Sequence, residues 1–363
     1  MAWKVNWMVL VDGIDMTSSM RPFLIDIEVT DNEGKSSDTC SLTFDDSGGQ
    51  ISLPRDGASI EVYLESVSKF KGTLDSARSS GSRGGGRLLR VTAKGFDSRG
   101  KVKQPLSFHK DEATLQEFLD DAAKRAGIAS IRLDPEFAKI RREYWSADGE
   151  SFLHIGERLA RELGGTFKIR GDQSVLARRG DGKAATGADL PVIRGVVGQN
   201  IISWDIAPFK GRKTFTKAKV RYFDRKDASF KSKDVEFNLD REVPESTNMV
   251  RSIAADEDQA GQIGDARKRE AEREGGEGSV EMELTVEAQA ECTFMLSGAR
   301  AGVDGQYRVN SVRHSANRNG GSTTSLQIKQ PGGEAGKDRR KKKGAVSTPE
   351  RDLGEYGTSA GSN

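Results

Sequence analysis

The chain has 363 residues, with 57 Lys and Arg against 55 Asp and Glu (net charge +2), 35% hydrophobic and 31% charged residues, and 41 Gly. That length allows about two domains of ordinary size, and its patterned Val, Ile, Leu and Phe exclude a wholly disordered chain. The segment 331–363 carries seven basic and five acidic residues, so the remaining body is neutral and lacks the basic excess of a nucleic-acid groove.

The first hundred residues alternate apolar and polar side chains, the period of half-buried strands. Ile25, Ile27 and Val29 form one such series, and Cys40, Leu42 and Phe44 a second, closed by the turn residues Asp45-Asp46-Ser47-Gly48-Gly49. Ile60, Val62 and Leu64 give a third, Phe70 to Ala77 a fourth, and Leu89, Val91 and Ala93 a fifth. Ser79 to Gly86 between the last two reads as a flexible hairpin loop. Short strands at this spacing point to a barrel or a sandwich.

The period then lengthens. Leu115, Phe118, Leu119, Ala122 and Ala126 share a helical face, Thr114 and Glu117 have capping-box spacing, and Gly127 ends the run. A second amphipathic helix starts near Glu150, carries Phe152, Ile155, Leu159 and Leu163, and stops at Gly164-Gly165. From Ile201 alternation returns: Ala218, Val220 and Tyr222; Val235, Phe237 and Leu239; Val280, Met282, Leu284 and Val286; then Tyr307 to Val312 and Thr324 to Ile328. Asp256 to Glu274 reads as a solvated helix with little apolar stripe. The chain is therefore expected to be mainly β with an α/β insert: a β-rich unit over 1–100, an α/β middle over 101–195 with two amphipathic helices, a second β-rich unit over 196–330, and a flexible basic, Gly- and Ser-containing tail over 331–363. The residues of the two β-rich units do not align by eye, so their duplication is not read from the sequence itself.

Chemistry is sparse. His109, His154, His314, Cys40 and Cys292 are scattered without metal-ligand spacing, and the histidines read as polar surface residues. Cys40 and Cys292 both read as members of apolar stretches, which fits a reducing compartment. Gly357-Thr358-Ser359-Ala360-Gly361 matches the nucleophile-elbow pattern but sits in a Gly- and Ser-rich stretch with no strand before it, so it reads as chance. The glycines around Gly84 lack the Lys-Ser/Thr of a phosphate loop. Asp45-Asp46 closes a turn and Asp120-Asp121 rides a helix's wet face. The run Arg339–Lys343 has no interleaved aromatics to stack bases and reads as a solubilising tail. No catalytic, cofactor-binding or metal-ligating residue is assigned, and no cofactor is expected. Met1 to Trp7 lacks signal-peptide order and no apolar run reaches the ~18 residues of a membrane span, so a soluble protein made in the cytoplasm, with no membrane anchor, is expected.

Read together, several segments resemble the phage late control gene D family, the baseplate hub proteins of contractile tails and tailocins. They are Asp38 to Asp46, Leu53-Pro54-Arg55-Asp56-Gly57 with Ile60–Leu64, Phe70-Lys71-Gly72, Ala93 to Asp97, Glu150 to Leu153 through Leu159 to Gly165, and Gly305 to Val309 with Ser311 to His314 and Thr324 to Lys329. Their order spans about residues 5–330. The resemblance implies two related β-barrel tube-type domains per chain and a homotrimer whose six similar positions match a threefold spike to a sixfold tail tube. It implies a structural protein of the virion or tailocin baseplate, assembled in the bacterial host cytoplasm, that initiates the tube. Its partners would be the spike protein, the tail tube or tube-initiator protein and other baseplate proteins. No enzyme activity and no specific nucleic-acid binding are expected, with a hub-associated cell-wall hydrolase as the alternative.

Overall fold

The structure is a computed structural model and describes residues 3–34, 37–97, 99–180, 182–184, 188–209, 215–238, 244–338 and 340. In chain order the first β-rich unit comprises β1 (Trp7–Val11), β2 (Ile14–Asp15), α1 (Thr17–Met20), β3 (Leu24–Asn32), β4 (Thr39–Asp45), β5 (Ser59–Leu64), β6 (Val67–Ser82) and β7 (Gly86–Lys94). The middle region holds β8 (Pro105–Thr114), α2 (Leu115–Arg125), β9 (Ser130–Leu133), α3 (Pro135–Ala138), β10 (Arg141–Ser151), α4 (Phe152–Leu163), β11 (Gly165–Arg170) and β12 (Gln173–Arg178). There follow β13 (Val192–Val196), β14 (Ile201–Ala207), β15 (Lys217–Asp224), β16 (Ser229–Glu236), β17 (Thr247–Ala254), α5 (Glu257–Arg273), β18 (Glu277–Glu283), β19 (Thr293–Ser297), β20 (Gly305–Asn317) and β21 (Gly321–Gly332). The protein is mainly β, as its periodicity predicts.

One large sheet contains both β-rich units. The first runs β1-β5-β6-β7-β4-β3 and the second β13-β19-β20-β21-β18-β14. When each set of six is numbered along the chain, both orders become one-four-five-six-three-two. The ladders match in detail as well. β6 and β20 each end in a three-residue turn, Arg83 to Gly85 and Arg318 to Gly320. Each bulges at the same distance before that turn, between Leu74 and Ser76 and between Val309 and Ser311. β3 and β14 also share a bulge, between Leu24 and Asp26 and between Ile201 and Ser203. A bulge inserts one unpaired residue and re-aims everything beyond it, so matched bulges are a stronger likeness than matched lengths. The plans part at the first strand, which is antiparallel to its neighbour in the first unit and parallel in the second.

Each unit closes over its own apolar core. Trp7, Val9, Leu24, Ile27, Leu42, Phe44, Ile60, Val62 and Leu89 fill the first; Met282, Phe294, Tyr307, Val309, Leu326 and Ile328 fill the second. The units join where the far half of β20 pairs antiparallel with β3, from Ser311 against Asn32 to Asn317 against Asp26.

The middle region packs α2 and α4 around Phe118, Trp145, Phe152, Ile155, Leu159 and Phe167. Both predicted helices are present. Thr114 accepts from the Glu117 backbone and Glu117 reaches back to the Thr114 N–H, completing the capping box. Ser151 caps α4, and Gly164, at φ 66°, ends it in the left-handed conformation that glycine adopts without strain.

Four expectations need correction. The loop expected over Ser79 to Gly86 is mostly strand: β6 runs to Ser82 and pairs with β7 to its tip, because a three-residue turn suffices. Asp256 to Glu274 does form a helix, but it is not merely solvated. Ala260 and Ile263 are buried against a separate sheet, β16-β15-β17, and Ala266 is buried beside Gly164 at the end of α4, so that a thin stripe of small apolar residues docks the helix on both sides. That sheet carries the Ala218 and Val235 series, which lie outside the large sheet; Leu239 lies outside the described residues. Order continues past Pro331: the backbone turns through Gly333 to Gly336 and buries Ala335 in the second core.

Candidate functional site

The residues singled out for chemistry stay apart. Cys40 and Cys292 are free and buried, and burial pushes the Cys292 thiol up to about 11. Asp45 accepts from the Ser47 N–H and hydroxyl, and Asp46 accepts from Ile51 N–H, so both shape a turn. Asp120 accepts from Gln116, and Asp121 lies 3.0 Å from Lys110 on the wet side of α2. His109 stacks on Tyr144, and His154 is exposed beside Glu150. His314, expected at the surface, is instead buried, because β20 crosses both units. It lies 3.0 Å from the Thr324 hydroxyl and 3.2 Å from the Ala288 carbonyl, and burial, reinforced by the Lys69 ammonium, lowers it to about 4. Ser359 and Lys341 to Lys343 lie outside the described residues. Among the described residues, no group of three His, Cys, Asp or Glu is placed to hold a metal, and no helix is long and apolar enough to cross a membrane.

Sequence reasoning missed a buried ionic joint where the three regions meet. Lys168 of β11 bonds Asp31 of β3 and Asp38, the latter at 2.8 Å, while Arg170 Nε reaches Asp38 at 2.8 Å. Asp31 also accepts from the Ala290 N–H at 2.9 Å, which ties in the second unit. Burial alone would raise Asp31, but Lys168 and Arg170 hold it down at about 2. Beside it, Glu33 meets Arg179 at 3.1 Å and pairs with Arg273, and burial with the Glu291 carboxylate pushes it up to about 7. Buried pairs of this kind contribute little net stability, but removing one partner strands a charge. The joint therefore fixes the middle region against both β-rich units. Nothing in the spacing of Asp31, Lys168 and Ala290 signals this, since they meet only through the topology.

The second missed feature is a contrast between sheet edges. Beyond Leu74, β6 is paired only with β7, and residues Asp75 to Ser82 are all exposed. The arm from Ser76 to Thr92 carries Arg78, Arg83, Arg87 and Arg90 and no acidic residue. Arg78 stands directly opposite Arg90. Among the described strands, β14 pairs along its length with β18 alone, leaving its other edge open, with Ile202 55% and Trp204 42% exposed. Together β14 and β18 carry Asp205, Glu277, Glu281 and Glu283 and no Lys or Arg. Two strand edges thus stand open with opposite charge, and an open edge is a template for pairing with another strand.

No family model matches the chain. A "Probable baseplate hub protein" of Escherichia phage P2 is 26% identical over 194 residues, which is 52% of this chain and 49% of that protein. The chain thus spans about half the length of the curated relatives it matches. The fold extends further. A 43 kDa tail protein of a Shewanella oneidensis prophage superposes with TM-score 0.67 at 13% identity, covering 90% of this chain and 98% of that one. An E. coli component of the type VI secretion system, described as structurally similar to bacteriophage T4 tail proteins, superposes with TM-score 0.55 at 11% identity over 92% of this chain and 79% of that one. The chain is similar in sequence to phage baseplate hub proteins and in fold to phage tail proteins, the kinship that the late control gene D motifs implied.

Proposed function

We propose that this protein is a structural baseplate hub of a contractile tail. It works as a homotrimer, joins a threefold spike to a sixfold tail tube, and starts tube assembly. The observation that carries the reading is the repeated sheet plan. One chain holds two six-stranded units of identical strand order, set side by side in a single sheet. Three such chains around an axis present six similar units, so one ring matches a threefold body on one side and a sixfold body on the other. Head-to-tail contacts that close after three copies generate such a ring without any new surface. The buried joint at Asp31, Lys168 and Ala290 would keep the two units from rotating apart under load.

On this reading the protein is not an enzyme, resides in the tail baseplate of a virion or tailocin, and is assembled in the host cytoplasm beside spike, tube and other baseplate proteins. The cell-wall hydrolase alternative draws no support from the relatives, which are named as hub and tail proteins. Light scattering on the purified chain should give the mass of a trimer, and co-expression with a β-helical spike protein should yield a stable complex. Imaging of the particle should place the chain on the tail axis between spike and tube. A chain that stays monomeric with and without spike, or that lies off the axis, overturns the reading.

A further inference from the structure

We propose that a basic cleft where the three regions of the chain meet is the docking site for an acidic peptide segment of another baseplate protein. Only the source of that segment rests on the hub reading. Two adjoining cavities, of about 140 and about 790 Å³, share Glu33, Ala160, Arg161, Arg179, Glu270 and Lys329, and so form one cleft. Glu33 lies just beyond β3, Arg161 on α4, Glu270 on α5 and Lys329 on β21. The α4 and α5 walls belong to neither six-stranded set, so a ring built from those sets can close without covering the cleft.

Charge selects the occupant. In a chain whose total is only +2, the smaller cavity is lined by six basic residues and three acidic ones, and the larger adds Lys94, Lys103 and Glu157. Several of these charges are already matched: Lys94 by Asp75, Arg267 by Glu270, and Arg179 and Arg273 by Glu33. Arg161, Lys103 and Lys329, by contrast, lie within ion-pair distance of no carboxylate among the described residues. Arg273, 6% exposed, has an Nη1 with no hydrogen-bond partner. Burial and the Glu291 carboxylate push Glu33 up to about 7, so at neutral pH it is only about half charged and leaves its two arginines partly unmatched.

A peptide fits this lining better than a nucleic acid does. Guanidinium forks match single carboxylates. A polyphosphate carries a charge about every 1.7 Å of duplex and would meet Glu157, Glu270 and Glu274 set among the cations. Phe96, Leu153 and Phe167 add apolar surface on which an apolar side chain of the peptide can lie. Both phenylalanine rings are buried, so neither offers a face to a base. A segment seated here touches both β-rich units and the middle region at once.

The test is fluorescence anisotropy of a labelled hexaglutamate peptide against the full chain at low ionic strength, where binding should saturate. Arg161→Ala with Lys329→Ala should weaken it at least about tenfold with no change in urea midpoint. Arg83→Ala with Arg87→Ala removes the same charge from the β6–β7 arm and should leave binding as it was. Glu33 faces Arg179, Arg273, Lys329 and Glu291, and no described histidine lines the cleft. Affinity should therefore fall as pH rises through about 7 and Glu33 ionises, and Glu33→Gln should remove that fall. Equal weakening by the two double variants, or equal competition by a single-stranded oligonucleotide of the same charge, means general attraction to cations and overturns the site. Displacement by millimolar inorganic phosphate makes the occupant a free anion, and loss of trimers in the cleft variant makes it a second copy; either overturns peptide docking, as does an absence of binding. The wild-type mass and the spike complex judge the hub reading separately from all of these.

Discussion

The hairpins β6–β7 and β20–β21 share turn length, bulge position and strand partners, yet they end in opposite surroundings. The tip of β20 lies on β3 with Ala316 buried, whereas the matching stretch of β6 is exposed throughout. The two hairpins carry arginine at matching places, Arg78 with Arg313 and Arg83 with Arg318, and differ on the returning strand, where β7 has Arg87 and Arg90 and β21 has Ser322 and Ser325. Apolar residues suit a contact made once on folding. Charged ones suit a surface that must stay wet until a partner arrives.

The sharpest way to break this comparison is a carboxylate at matched positions. Ala316→Asp buries an unpaired charge opposite Ile27 and should cost about 4 kcal/mol in urea unfolding. Gly81→Asp sits at the exposed counterpart, so the isolated chain should unfold at an unchanged urea midpoint while losing its trimers in light scattering. If both variants lose stability equally, the β6 arm is docked within its own chain.

A smaller effect separates the facing strands. Ile27→Ala removes a fully buried side chain and should destabilise by about 3 kcal/mol. Trp204→Ala, at the corresponding place on β14, should leave the urea midpoint of the monomer within about 0.5 kcal/mol of wild type, because surface changes seldom exceed that. Its effect should appear in the association equilibrium.

The next effect comes from the docked hairpin alone, because its counterpart has Ser79 where it has His314. The His314 ring is held neutral, with its folded pKa at about 4 against an ordinary value of about 6.5. A group depressed on folding stabilises above its unfolded pKa and loses that contribution as pH falls toward its folded pKa. From about pH 7 to about pH 5 the loss attributable to His314 is about 2 kcal/mol. Glu33 works in the opposite sense. Its pKa is raised to about 7, so its contribution is present below the unfolded value and is lost as pH rises toward 7. The wild-type profile is therefore flattened, and the His314 part is read as the difference between wild type and His314→Asn across that range. A difference that does not change with pH would place the ring in contact with water.

These contrasts also mark what the sequence makes legible. Alternation locates Ile25 to Val29, Cys40 to Phe44 and Ile60 to Leu64, and the capping box at Thr114 places α2, because those signals are local. The strand order is not local. The repeat is carried by bulges and turns, while residues at corresponding places differ as much as Gly72 and Tyr307, or Ile27 and Trp204, so comparison of side chains cannot find it. Likewise the joint at Asp31 and Lys168 unites residues more than a hundred positions apart, and α5 hides its buried face because Ala260, Ile263 and Ala266 form so thin a stripe. The one visible trace of the association surface was compositional: four arginines between Ser76 and Thr92 with no acid among them. Only Arg83 falls in the stretch that reads as loop, and the sequence assigns none of the four a role; in the structure they lie along one hairpin arm.

The smallest effect should be the one with a change of sign. Arg78 opposes Arg90 across the free hairpin, and like charges directly opposed on a sheet are unfavourable. Arg78→Ala should therefore leave the isolated chain at an equal or slightly higher urea midpoint, measured at low ionic strength, where the repulsion is least screened. The same variant should associate more weakly than wild type, and added salt should narrow that gap. Arg313→Ala, its counterpart on β20, removes only an exposed contact to Glu28 and should lower stability a little, since exposed ion pairs contribute little. A gain from Arg78→Ala in the monomer together with a loss in the assembly would mean that the arm carries repulsion in the free chain that only a second, acidic surface relieves. If Arg78→Ala instead weakens the monomer as Arg313→Ala does, Arg78 has found its carboxylate at home, and the two hairpins are alike after all.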